Sequence, residues 1–149
     1  MFWTLKKDTL YDKKEQEIGY FLPTANDKER AMIKNGDTLV DLVGEFVTEY
    51  DEGKTVTKKL FDSFSKIVDK KTDYKIIWQE TREGELLNEN ERVIFFFVKS
   101  NSWGKLIRTL PEVYECAQNL LNNLSTTSKH ETKKLYDQIC DFYDKIHEE

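Results

Sequence analysis

The side chains that most often do chemistry in proteins are scarce in this sequence. There are two histidines, His130 and His147, and two cysteines, Cys116 and Cys140. None of them has the close spacing of a zinc site. A catalytic histidine or cysteine needs a partner group held beside it in a pocket, which a frayed helix end or an apolar helix face does not offer. We therefore predict no metal site and no catalytic residue, with surface histidines and core-packed cysteines.

Carboxylates are plentiful, and two pairs have a spacing that could support acid–base chemistry. Glu45 and Glu49 lie four residues apart, as do Asp137 and Asp141. Residues four apart share one side of a helix. In both predicted helices that side is the polar one, so we expect a solvated face. Because no glycine-rich phosphate loop occurs either, the sequence predicts no cofactor and no enzyme.

The acidic residues are unevenly distributed along the chain. Residues 80–91 contain five glutamates and one arginine, whereas residues 92–111 contain basic residues and no acidic one. Segregated charge speeds and orients the association of two proteins. An acidic surface of this kind would suit a basic partner. The acidic binding candidates are Glu45, Glu49, Glu83, Glu85 and Glu89.

A basic surface is the competing candidate, although the net charge of −5 gives no overall attraction to phosphate. Its members are Lys58, Lys59, Lys66 and Lys70 on a predicted helix over 55–71, with Lys105 and Arg108 further on. Trp103 lies beside Lys105 in a predicted connection. An aromatic ring among cations can stack on a nucleic-acid base or anchor a protein interface. It can equally cover the end of the sheet as a buried plug.

The elements that must position these residues follow from the hydrophobic pattern. Strands are predicted at 2–6, 17–22, 74–80 and 93–98, where aromatic and branched residues gather. Amphipathic helices follow each pair of strands, which gives the order ββααββαα. Strands joined in neighbouring pairs favour antiparallel pairing. We therefore expect an α+β fold, with an antiparallel sheet of about four strands packed against helices.

Helix starts are predicted from local signals. Thr24 or Asn26 caps a short helix that is interrupted at 35–37, and a longer helix begins at Asp37. Capping-box spacings at Thr109-x-x-Glu112 and Ser128-x-x-Glu131 predict the starts of the last two helices.

The segment Val93 to Val98 is the longest apolar run in the chain. A strand without polar alternation is typical of a sheet centre that is covered on both faces. We therefore expect it to be the interior strand, hidden by the protein's own helices. If only one face were covered, Phe96 would face outward, and that surface would require a partner or a dimer mate.

Length and composition set the remaining limits. A chain of 149 residues with 13% aromatic residues fits one globular domain. Residues 1–72 and 73–149 share an order of elements, so a division into two ββαα-like halves is the alternative to a single unit. Two unpaired cysteines, the absence of a leader-like N-terminus and the lack of a membrane-length apolar run indicate a soluble, cytoplasmic protein.

The leading functional hypothesis is a non-enzymatic protein-binding module that docks through complementary charge. An adaptor, an inhibitor or an immunity-type accessory protein encoded by a phage or mobile element fits this description. The alternative is a nucleic-acid-binding module that uses the basic helix 55–71 and the Trp103 region. We predict a protein partner first, a nucleic acid second, and no membrane association.

Overall fold

A six-stranded antiparallel sheet packed against five helices makes up the part of the chain that the computed structural model describes, residues 3–53, 58–69, 75–98 and 102–148. The strands are β1 Thr4–Lys6, β2 Thr9–Tyr11, β3 Glu17–Phe21, β4 Gln79–Glu80, β5 Glu85–Leu87 and β6 Val93–Phe97. The helices are α1 Asp27–Lys34, α2 Gly36–Asp51, α3 Lys58–Ile67, α4 Ser102–Asn122 and α5 Thr126–Glu148. The predicted α+β class with an antiparallel sheet is confirmed. None of these described helices has the length and apolar character needed to cross a bilayer.

The predicted number and order of strands are wrong, because β2 and β5 lie in segments where the sequence pattern predicts loops. Each is only three residues long and carries a single fully buried side chain, Leu10 or Leu86. A three-residue strand with one buried residue is too short to show a period-two pattern. Each half of the chain therefore supplies three strands before its helices, and the described order is βββαααβββαα.

The sheet consists of two meanders that meet at its centre. The strand order is β1-β2-β3-β6-β5-β4, so that β3 and β6 are the two central strands. They pair antiparallel, with Tyr20 opposite Phe96. The prediction that the apolar run forms an interior strand is confirmed for β6.

The two meanders repeat the same backbone geometry at a constant distance along the chain. Asp12 and Asn88, 76 positions apart (88 − 12), each accept hydrogen bonds through Oδ1 from the N–H groups two and four residues later. Glu15 and Glu91 hold the same offset and have left-handed backbones, with φ of 62° and 61°. The hairpins of the two halves are thus built alike.

Each meander also contains a bulge at the same place. The pairing of β2 with β3 skips Ile18, and the pairing of β5 with β6 skips Ile94. A bulge redirects the side chain of the extra residue. Both isoleucines are fully buried.

One face of the sheet is covered by the helices and the other is open. Phe95 and Phe97 alternate with Phe96 along β6. The first two are buried, whereas Phe96 is half-buried and its partner Tyr20 is 43% exposed. Val98, just beyond β6, is 52% exposed. The expectation that this strand is covered on both faces is therefore wrong. We call the side carrying Tyr20 and Phe96 the outer face.

The helix starts are partly as predicted. Asn26 caps α1 through a capping box with Glu29, and α2 begins directly after Asn35. In contrast, α4 begins at Ser102 and continues past Thr109, whose hydroxyl donates to the Lys105 carbonyl inside the helix. The predicted start at Thr109 is wrong because Trp103, Leu106, Ile107 and Leu110 have helical spacing and are all buried. Ser125, not Ser128, accepts the capping hydrogen bond of α5.

Candidate functional site

Two helices, α2 and α5, run antiparallel in close contact and bring together acidic residues that are far apart in sequence. At the C-terminal end of α2, Asp51 Oδ1 lies 2.7 Å from Lys133 Nζ near the start of α5. Further along, a Cβ atom on Gly44 would lie 2.7 Å from Tyr136 Oη. Glycine at position 44 therefore allows the Tyr136 side chain to lie directly against the α2 backbone.

Exposed carboxylates lie on both helices near this contact. They form a surface that we call the acidic ridge: Asp41 and Glu45 from α2, and Asp137 and Asp141 from α5. Burial raises the pKa of Tyr136 to about 12, its hydrogen bond with Cys140 adds to the shift, and Asp41 and Asp137 contribute further. Asp41 of α2 and Asp137 of α5 thus act on the same phenol, and Glu45 and Asp141 lie one helical turn further on the same sides of α2 and α5. Glu49, one helical turn beyond Glu45, is half-buried.

The second predicted acidic stretch does not form one patch. Glu83 lies in the turn between β4 and β5, and Glu89 lies in the turn between β5 and β6, so the two are at opposite ends of β5. Glu85 lies between them on the outer face, opposite Phe96. Since α2 belongs to the helical layer, Glu45 and Glu49 are on a different layer of the fold from these three glutamates.

Trp103 lies in the first turn of α4 and not in a connection, which corrects that part of the prediction. The side chain is only 8% exposed and meets Trp3 edge to face, with 5.7 Å between ring centroids. Tyr143 of α5 contacts it from another side, at 6.5 Å. This is the arrangement of a plug between α4, α5 and the N-terminal segment. A buried ring has no free surface on which a nucleic-acid base could stack.

The basic candidates are exposed but mixed with acids. Lys58, Lys59 and Lys66 are exposed on α3, and Lys70 lies outside the described residues. Asp62 stands four residues from both Lys58 and Lys66, so a carboxylate interrupts that side of the helix.

Lys105 and Arg108 are exposed on α4 close to the half-buried Glu80. Burial raises the pKa of Glu80, while Arg108 and Lys105 oppose that shift. Both cations therefore already have an acidic neighbour within the fold.

Two of the groups considered for catalysis, Cys116 on α4 and His130 on α5, lie in the described part of the chain. Cys116 lies at a cavity of about 310 Å³ between α4 and α5, whose lining includes Glu112, Glu115 and Glu131. Burial raises the pKa of Cys116 to about 11, which keeps the thiol protonated at neutral pH. His130 is exposed. Within the described ranges, no group of histidine, cysteine and carboxylate side chains could hold a metal ion.

Two residues of the outer face carry a signal in the sequence, Glu85 as an acidic candidate and Phe96 as an outward-facing ring if only one face is covered, whereas Lys6, Thr9 and Tyr20 carry none. Consecutive strand pairings join five residues into one row across the sheet: Lys6 with Thr9, Thr9 with Tyr20, Tyr20 with Phe96, and Phe96 with Glu85. Directly paired residues point to the same side of a sheet. The Tyr20 and Phe96 rings lie 5.5 Å apart at the middle of the row. The row follows from strand pairing and has no signal in the local sequence of any one strand.

The fold therefore defines an α+β protein with one open sheet face and one acidic helical ridge. Comparison with known proteins adds no family to this description: no protein-family model, curated protein or solved structure matches the chain.

Proposed function

We propose that the protein is a non-enzymatic protein-binding module that docks through its acidic ridge onto a basic surface of a partner protein. The supporting observation is the contact of α2 and α5 at Gly44 and Tyr136, where the exposed Asp41 and Asp137 both act on the Tyr136 phenol. Glu45 and Asp141, also exposed, lie one helical turn further on the same sides of α2 and α5. An adaptor or an inhibitor that covers a basic channel of its target is the class that such a surface serves.

Electrostatics favour docking over small-molecule chemistry at the ridge. The carboxylates are solvent-exposed, and the tyrosine among them has its pKa raised to about 12 and stays neutral. Exposed charges of one sign attract an oppositely charged surface over about 8–10 Å at physiological salt and steer its approach. Reaction chemistry would instead need ionisable groups in an enclosed pocket.

The test is capture of the partner from the native host, with a matched charge control. In the ridge variant, Glu45→Lys, Asp137→Lys and Asp141→Lys reverse three exposed charges. In the control variant, Glu83→Lys, Glu89→Lys and Glu91→Lys reverse three exposed charges in the turns beside β5. Both variants change the net charge equally. Tagged wild type and both variants are expressed at native levels, cross-linked and analysed by mass spectrometry.

We expect the wild type and the control to capture the same protein, and the ridge variant to lose it. Raising the salt concentration should weaken capture by the wild type. Equal capture by all three chains would show that the binding site is not the acidic ridge. Failure of the wild type to capture any protein would reject the proposed function.

The nucleic-acid alternative stays a prediction, without Trp103, because that ring is buried. A labelled oligonucleotide titrated with the protein at low salt tests it. Binding that falls steeply with added salt and is lost on Lys58→Glu/Lys66→Glu would favour this alternative. Absence of binding at low ionic strength would remove it.

A further inference from the structure

We infer that the outer face of the sheet binds a second copy of this chain, forming a dimer whose two-fold axis passes through Tyr20. This surface is separate from the acidic ridge, and the inference does not rest on the proposed function. It is argued from the exposure of the face, the order of residues along one row and the charges at the ends of that row.

The centre of the outer face carries large apolar side chains, which are more typical of buried surfaces. Tyr20 is 43% exposed, and Val98, two residues after the half-buried Phe96, is 52% exposed. Large apolar side chains gathered on one exposed sheet face mark an interaction surface.

The row Lys6–Thr9–Tyr20–Phe96–Glu85 is complementary to itself when reversed. β1 lies two strands from β3 on one side, and β5 lies two strands from β3 on the other. Adjacent strands are about 4.8 Å apart, so Lys6 and Glu85 lie at nearly equal distances from Tyr20. Two copies stacked face to face about an axis along β3 therefore place Lys6 over Glu85 of the other copy, twice.

The apolar part of the row matches in the same arrangement. Tyr20 meets its own counterpart on the axis, and Phe96 meets Thr9 of the second copy. In a two-fold interface each contact between residues i and j occurs twice, so both charge pairs form together. Lys6 is already held close to this surface, with its ammonium 5.5 Å from the Tyr11 ring centre. Sheets stacked face to face are about 10 Å apart, a distance that these side chains can span.

Charge complementarity within the row favours a second copy over an unrelated partner. A foreign protein would have to supply an acid and a base in the reverse order around an aromatic centre, whereas this chain supplies both. Packing in which each row meets its counterpart without reversal would instead set Lys6 against Lys6 and Glu85 against Glu85, which is repulsive.

The experiment measures the mass of the purified full chain in solution by sedimentation at concentrations from about 1 to 200 µM. We expect a concentration-dependent dimer. Tyr20→Lys should abolish it, because like charges would meet on the axis. Leu124→Lys is the matched control, since Leu124 is an apolar residue of similar exposure, 40%, in the turn between α4 and α5. It should leave the dimer unchanged.

A charge exchange tests the predicted order of the row. Lys6→Glu should raise the dimer dissociation constant about tenfold or more, because two attractive pairs become repulsive. Lys6→Glu combined with Glu85→Lys should restore it. Lys6 is exposed, whereas Glu85 is half-buried and its carboxylate accepts a hydrogen bond from the Thr81 hydroxyl at 3.3 Å. Circular dichroism therefore accompanies each variant, and the single Lys6→Glu variant tests the charge pairs without altering Glu85.

Three results would overturn the inference: a monomer at 200 µM, a dimer that survives Tyr20→Lys, or a dimer indifferent to Lys6→Glu. A monomeric chain whose Tyr20→Lys variant fails to capture the host partner would assign the outer face to that partner instead. Because the mass measurement uses the chain alone, its failure leaves the ridge proposal standing, and the reverse also holds.

Discussion

The Phe95 ring lies against Gly19. Gly19 occupies in the first meander the position that Phe95 occupies in the second. Their positions differ by the same 76 residues that separate Asp12 from Asn88. Across the central pair of strands, Gly19 faces Phe97 and Phe21 faces Phe95. A Cβ atom on Gly19 would overlap the Phe95 ring and the Phe96 carbonyl oxygen. The Phe95 ring fills the space above both position 19 and position 95, which are equivalent in the two meanders. The two meanders therefore cannot have the same residue there.

Gly19→Ala should therefore be strongly destabilising. We expect the free energy of unfolding to fall by about 3 kcal/mol or more, because the new methyl group meets backbone as well as a fully buried ring. Gly53→Ala is the control. It has φ of 71° and no atom within 4 Å of the added Cβ, so it should cost only about 1 kcal/mol of backbone strain. Urea denaturation compares the two, and equal losses would show that Gly19 is not confined as described.

Asp12 and Asn88 occupy equivalent turns, so the substitutions Asp12→Asn and Asn88→Asp form a matched pair. Asn88 Nδ2 donates to Glu29 Oε2 at 3.0 Å, and both residues are buried. Asn88→Asp removes that donor and sets two carboxylates against each other, so we expect a loss of about 2 kcal/mol or more in unfolding free energy. Asp12→Asn keeps the Oδ1 acceptor that the turn needs and should cost less than about 0.5 kcal/mol.

Chemical denaturation of both exchanged variants decides the point. The reverse ranking would mean that the hydrogen bonds of the turn, and not the contact with Glu29, distinguish the two hairpins.

Cys116 should react slowly with alkylating reagents in the folded protein. Burial is the main cause that raises its pKa from 9.0 to about 11, nearby glutamates add to the shift, and a hydrogen bond with Thr132 opposes it. At pH 8 the thiolate fraction is then about a hundredfold lower than for an ordinary thiol, and the alkylation rate should fall accordingly. In a Cys140→Ser background, the rate should keep rising towards pH 11.

The same shift predicts how stability depends on pH. The unfolded thiol ionises at lower pH than the folded one, so the free energy of unfolding should fall as pH rises through 9 towards 11.

For the alkylation measurement, the control is the Cys140→Ser variant unfolded in urea, whose alkylation rate should level off near pH 9. A plateau below pH 9 in the folded protein would contradict the assigned burial.

Local sequence was sufficient for the long and strongly patterned elements. The apolar run of β6, the helix cap offered by Thr24 or Asn26 and the amphipathic pattern of α2 each report the structure of their own residues, and the cap is Asn26. The α+β class follows from their order. The short strands β2 and β5 were missed because one buried leucine in three residues produces no period.

The tertiary structure alone decided which surfaces the protein presents. The sequence of β6 is apolar throughout, yet the helices cover only the side with Phe95 and Phe97, so Phe96 meets Tyr20 on the open side. The acidic ridge likewise depends on Gly44 lying against Tyr136, two residues more than ninety positions apart. The sequence pattern shows whether each side chain is apolar or charged. Whether it is covered, and which distant residue it faces, depends on long-range packing that no local pattern encodes.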